Sequence, residues 1–147
     1  MTMKRITTIL FLLLAIIYAQ AFTLVIDPGH GGKDAGAIGK NSKEKDINLA
    51  VALAFGEMVK ANFPDVKVIF TRKTDVFVEL SERANIANKA KADLFVSIHT
   101  NSLPKGRISR GTETYTLGMH KAAENLEVAK RENSVITLES NYKTHYE

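Results

Sequence analysis

Cysteine is absent from the 147-residue chain, so no disulfide braces the fold and no thiolate can hold a metal. Stability must come from an apolar core, and any metal must rest on histidine and carboxylate ligands. A strong charge of one sign is lacking as well, with twenty Lys and Arg against sixteen Asp and Glu. Two of the basic residues, Lys4 and Arg5, sit at the amino end; without them eighteen against sixteen leaves +2, which gives no argument for nucleic acid as a partner. There are no internal repeats and no low-complexity tracts. The apolar run Ile9–Ile17 falls short of the roughly 20 residues that span a bilayer. Preceded by Lys4 and Arg5 and followed by Ala19-Gln20-Ala21, it has the three parts of a secretory signal peptide over residues 1–21. The expected mature chain starts at Phe22, keeps no stable membrane anchor, and is exported to the periplasm or cell wall.

Phosphate-cradling glycine motifs are missing too. The stretch Leu24-Val25-Ile26-Asp27-Pro28-Gly29-His30-Gly31-Gly32 supplies glycines, but Asp34 stands where a dinucleotide fingerprint needs its third one. Gly39-Lys40 is followed by Asn41, not by the Ser or Thr of a P-loop, and Asp34 again takes the place of the first glycine. What remains is a β-branched apolar run breaking into Pro and Gly, a buried strand that delivers His30 on a loop at its carboxyl end.

The rest of the chain continues that unit as one domain, residues 22–147. Ile47, Val51, Ala54, Phe55 and Met58 recur at helical spacing and predict a helix over about 46–60 with that face on the sheet. Val66–Thr71 reads as a second strand, Leu80, Ala84, Ala87 and Ala90 mark a second helix, and Asp93–Ile98 a third strand ending at His99. The alternation predicts an α/β fold, an open and mostly parallel sheet with helices on both faces. Beyond it, Ser102–Arg110 reads as a loop, Thr112–Leu117 as a strand and His120–Arg131 as a helix; from Ser134 onward no element is predicted.

Parallel strands put His30 and His99 at one edge of the sheet, where open α/β folds bind ligands. With Glu44 at the mouth of the first helix they are the residue types of a hydrolytic zinc site, in which three protein ligands leave a fourth position for water. Two histidines and a glutamate also occur together by chance; the strand-end placement favours the metal. Asp27 is either an acceptor orienting a ligating histidine or an ordinary turn residue. Arg72 and Arg83 either hold a substrate carboxylate or pair with Asp75 and Glu79, the second being favoured. Asn101 is a candidate substrate contact near the metal. His120 and His145 read as solvated, and Lys105, Arg107 and Arg110 as a solvated loop.

The blocks Leu24–Ala37, Glu44-Lys45, Thr71-Arg72, Asp75, Leu80, Arg83, Ala92–Asn101 and Gly111–Tyr115 closely resemble, in order, the zinc-dependent N-acetylmuramoyl-L-alanine amidases. The resemblance covers Phe22 to about Tyr142. It implies one Zn2+ held by His30, Glu44 and His99, and peptidoglycan as partner, cut at the amide between N-acetylmuramic acid and the first L-alanine of the stem peptide by a monomer. Thr100 stands where the family more often has a small residue such as alanine. The family's general-base glutamate, in a Val-Glu-x-Gly-Phe type motif, finds no match between Tyr115 and Glu147. By the resemblance it belongs beyond Glu147, no catalytic residue is identified within the chain, and the domain is expected to lack its C-terminal strands and to hydrolyse poorly. The alternatives are a noncatalytic peptidoglycan-binding remnant of the same scaffold and a zinc peptidase cutting inside the stem peptide.

Overall fold

Strand β1 (Thr23–Pro28) lies at the centre of a three-stranded parallel sheet, because its residues are apolar enough to be covered on both faces. It pairs with β2 (Lys67–Phe70) on one side and β3 (Leu94–Ile98) on the other, in the order β2-β1-β3. Val25 and Ile26 are fully buried. The computed structural model describes residues 21–100, 130–140 and 143–144. The expected signal peptide through Gln20, the predicted elements within 101–129, and the side chains of Asn101, Lys105, Arg107, Arg110, His120 and His145 lie outside the described residues.

Helix α1 (Glu44–Asn62) connects β1 to β2, and helix α2 (Leu80–Lys89) connects β2 to β3. The first crossover moves one strand outward and the second returns past β1. Right-handed connections of that kind place the two helices on opposite faces. On one face Leu24 and Ile26 pack with Ala52 and Val59 of α1, joined by Phe55, Val68, Phe70 and Val96. On the other, Arg83 of α2 reaches Asp27. The reversal of strand order leaves a crevice between the carboxyl ends of β1 and β3, the place where such sheets take ligands.

Helix α1 departs from its sequence reading in two ways. It begins at Glu44, two residues earlier than predicted, because the Glu44 amide donates to Ala37 O at 2.9 Å and Lys43 closes the first turn. Its buried stripe is Glu44, Asn48, Ala52, Gly56 and Val59, with Phe55 beside it, whereas Ile47, Val51, Ala54 and Met58 are exposed. The physical reason lies at the two ends of the stripe. Glu44 and Asn48 are drawn into the crevice by hydrogen bonds, and Gly56 lets the Phe70 ring approach the helix so closely that a Cβ there would overlap it. A further 3-10 helix, Ser134–Leu138, follows a helical turn at residues 130–133 where no element was predicted past Ser134.

Candidate metal centre

The loop after β1 turns sharply at His30, whose φ of 61° puts a non-glycine residue in the left-handed region. Two arginines hold that turn by its carbonyls. Arg72 donates to Pro28 O at 2.9 Å, Gly29 O at 2.8 Å and Lys45 O at 2.9 Å. Arg83 donates to Pro28 O at 3.0 Å and His30 O at 2.8 Å, and its Nη1 meets Asp27 Oδ1 at 2.6 Å. Neither guanidinium makes the side-chain pairing expected of it. Asp75 pairs with Lys45 at 2.6 Å and accepts from Gly32 N, while the carboxylate of Glu79 accepts from Ser140. Asp27 is buried and its oxygens are taken by Thr71, Ser97 and Arg83, so it reaches the histidine loop through Arg83 and not by an imidazole.

Asp34 is the residue that orients the imidazole. Nδ1 of His30 donates to its Oδ2 at 2.7 Å, and the Gly36 amide donates to its other oxygen. Nε2 of His30 is left buried without a hydrogen-bond partner. It faces Glu44 Oε1 and Glu132 Oε2, each at 3.3 Å. His99 follows β3 and brings Nδ1 to 3.3 Å from Glu44 Oε1 and 3.1 Å from Glu132 Oε2. The two rings stand edge to face at 4.8 Å. Gly29 is required here by close approach, since a Cβ would run into the His99 ring. Gly36 is required both by its φ of +62° and by His30 Cδ2, which would lie 2.6 Å from an added Cβ.

Glu44 is tethered at both oxygens. Oε2 accepts from Ala37 N at 2.9 Å, and Oε1 accepts from Thr100 N at 2.8 Å and Asn48 Nδ2 at 3.3 Å. The Thr100 hydroxyl, at the position of the family departure, donates to Asn48 Oδ1 at 2.7 Å. Burial pushes the Glu44 carboxyl up, but these donors and the nearby His30 outweigh it and the net shift is downward. Burial likewise raises Asp34, and the His30 and Gly36 hydrogen bonds carry it below its ordinary value. For His30, burial lowers the pKa, yet Asp34, Glu44 and Glu132 together raise it.

One donor atom from each of His30, Glu44, His99 and Glu132 lies within 4.8 Å of the other three. This brings the three sequence-predicted ligands together and adds Glu132. Its position, 33 residues past His99 in a polar Lys-Arg-Glu-Asn stretch, gave no periodic or spacing signal. The donor chemistry fits a divalent zinc ion: two imidazoles with carboxylates, one imidazole fixed at Nδ1 by a carboxylate so that its Nε2 lone pair points into the cluster. Glu132, like His30, Asp34 and Val135, lines two cavities. One of about 410 Å³ extends from His99 along Val78, Leu80, Ala84 and Phe95. The other, about 440 Å³, is bordered by Gly36, Ala37 and Thr137.

Residues 24–146 match the family model described as N-acetylmuramoyl-L-alanine amidase. The endolysin of Bacillus phage SPP1 is 49% identical over 90 residues, 61% of this chain and 32% of that protein. The probable N-acetylmuramoyl-L-alanine amidase AmiB of Haemophilus influenzae is 37% identical over 112 residues, 75% of this chain and 26% of that protein. The crystal structure of N-acetylmuramoyl-L-alanine amidase from Clostridium difficile 630 superimposes with a TM-score of 0.59 at 39% identity, covering 63% of this chain and 50% of that one. The chain thus spans at most half the length of these three proteins. With the family model matched over nearly the whole chain after residue 23, the chain belongs to the N-acetylmuramoyl-L-alanine amidase family.

Proposed function

We propose that this chain is an exported, zinc-dependent peptidoglycan hydrolase that cleaves the amide between N-acetylmuramic acid and the L-alanine of the stem peptide. The observation that carries the reading is the buried, unpartnered Nε2 of His30 facing two carboxylates and a second imidazole. An apolar packing role would not leave a ring nitrogen orphaned there, because a buried polar atom without a partner is costly. A cation resolves the cost.

His30, Glu44 and His99 would hold one Zn2+, which when bound lowers the pKa of a coordinated water to about 7 and polarises a carbonyl. Asp34 keeps the His30 proton on Nδ1. Asn48 and the Thr100 amide hold Glu44 in its ligating orientation. Among the described residues no backbone amide donates to Glu132, whose Oε1 meets the adjacent Arg131 side chain at 3.2 Å; we assign it the proton transfer that the resemblance expects of a glutamate beyond Glu147, in place of the poor hydrolysis expected without one. Glu132 accepts the proton as water oxygen adds to the amide carbon, and gives it to the alanine nitrogen as the C–N bond breaks. The products are a muramoyl carboxylate and a free L-alanine amino group. Peptidoglycan lies outside the cytoplasmic membrane, in keeping with the signal-peptide pattern over residues 1–21.

The test is incubation of the zinc-loaded chain with purified peptidoglycan. The expected result is release of stem peptides with new L-alanine amino termini. Sedimentation with the polymer and no release would instead identify a noncatalytic binder, and fragments cut within the stem peptide would identify a peptidase.

A further inference from the structure

Helix α2 starts without a cap from its own neighbourhood: Glu79, at the capping position, makes no side-chain bond to the first turn. The free Leu80 amide is met by a carboxylate 59 residues away, Glu139 Oε1, at 2.6 Å. In exchange, the carboxylate of Glu79 accepts from Ser140 N at 3.4 Å and from Ser140 Oγ at 3.0 Å. Lys33 Nζ, from the histidine loop, donates to the adjacent Leu138 O. These bonds form a clasp between the start of α2 and residues 138–140. Glu139 is only 4% exposed, and its second oxygen is buried with no partner.

That orphaned oxygen sets this clasp apart from a simple cap. A Ser or Asp at position 79 would accept from the amides of Ser81 or Glu82 and would not reach that of Leu80, so the Leu80 amide takes a carboxylate from elsewhere, one oxygen of which stays buried and unpaired. Bringing a glutamate from a distant segment costs desolvation and gains a tie between two parts of the chain. What is tied is informative. Seven residues before Glu139, across one 3-10 helix, stands Glu132 with its carboxylate against His30 and His99. One turn into the same helix α2, Arg83 holds the carbonyl of His30. A single helix therefore fixes one member of the cluster by its first turn and the segment bearing another by its N-terminus.

We propose that Glu139 is a positioning residue: by clasping the N-terminus of α2 it sets the Glu132 carboxylate opposite His30 and His99. The clasp is read from contacts alone; its importance for hydrolysis rests on the function proposed above. The experiment uses the full chain without metal, observing the imidazole resonances of His30 and His99 and the exchange of the Leu80 amide by NMR. Glu132→Ala defines the change expected when the carboxylate leaves the cluster. Glu139→Ala should move both imidazole resonances in the same direction, and the double variant should move them no further than Glu132→Ala alone. Leu80 should exchange roughly fivefold faster in Glu139→Ala, as loss of a cap predicts. Glu139→Gln, which keeps an oxygen acceptor, should restore both readings. Glu79→Ala cuts the other half of the clasp and is read in the same way should Glu139→Ala not fold. Faster Leu80 exchange with imidazole resonances at their wild-type positions, in whichever variant folds, would overturn the proposal and leave Glu139 as a cap only. Because no metal is present in these measurements, a failure to bind zinc would count against the proposed hydrolysis and not against the clasp.

Discussion

Asp34 and His30, four residues apart on one glycine-bearing loop, share a 2.7 Å hydrogen bond that decides which imidazole nitrogen can serve as a ligand. With the proton held on Nδ1, Nε2 offers its lone pair to the cluster. Partners of this kind typically contribute about 10–100-fold to metal affinity. Asp34→Ala should therefore retain the fold while weakening zinc binding by about that factor, measured by competition with a chromogenic chelator. Wild-type affinity in the variant would show that the left-handed turn at His30 orients the ring by itself.

Glu132 and Glu44 are both carboxylates within 3.3 Å of the same histidine nitrogen, but their surroundings differ. Glu44 is held by two backbone amides and Asn48, the environment of a fixed ligand. Glu132 has no such backbone donors among the described residues, its Oε1 meeting the side chain of the adjacent Arg131 at 3.2 Å, and is assigned proton transfer, a role usually contributing about 10²–10⁴-fold to rate. Glu44→Gln should lose zinc on dialysis, whereas Glu132→Gln should retain one equivalent and lose turnover by a factor in that range. Loss of zinc from Glu132→Gln, seen by metal analysis, would make it a fourth ligand instead.

Export is expected from Lys4, Arg5, the run Ile9–Ile17 and Ala19-Gln20-Ala21. Mass spectrometry of the protein recovered from the envelope of its native cell should find Phe22 as the amino terminus. An intact Met1 would mean a tethered protein.

The strands and their edge were legible because parallel, doubly covered strands read as apolar runs, and because His30 and His99 end two of them. The clustering of both with Glu44 follows from that topology. Helix α1 was misread in its facing for a physical reason. Hydrophobic periodicity weights side-chain size, while this helix buries Asn48, Ala52 and Gly56 so that polar bonds can reach the crevice and Phe70 can come close. Asp34 had a local signal that went unused, a carboxylate one short loop after the histidine. Glu132 had none, since nothing in a polar helical turn indicates which distant side chain it will face.

Gly56 gives a test of that packing. Alanine is better than glycine in a helix by about 1 kcal/mol, so a free surface position would gain stability from the change. Here the added Cβ would overlap the Phe70 ring, and overpacking typically costs about 1–3 kcal/mol. The second effect is the larger, and Gly56→Ala should lower stability by about 1 kcal/mol in urea unfolding. In a Phe70→Leu background the overlap is relieved, and the same substitution should become neutral or stabilising.

Arg83 joins the buried Asp27 to the carbonyls of Pro28 and His30, so its loss should be felt in both stability and metal binding. Asp27 keeps hydrogen bonds from Thr71 and Ser97, but in Arg83→Met its carboxylate would be buried with no cation against it. Breaking such a pair from one side usually costs about 3–5 kcal/mol, far more than an exposed ion pair. The variant should unfold at markedly lower urea, and Asp27→Asn placed beside it should recover part of the loss by removing the unpaired charge. Zinc affinity should not recover with it, because the Asn/Met pair supplies no donor to the His30 carbonyl. A double variant that regained wild-type affinity as well as stability would show that Arg72, with its three remaining carbonyl bonds in this loop and the start of α1, holds the turn alone.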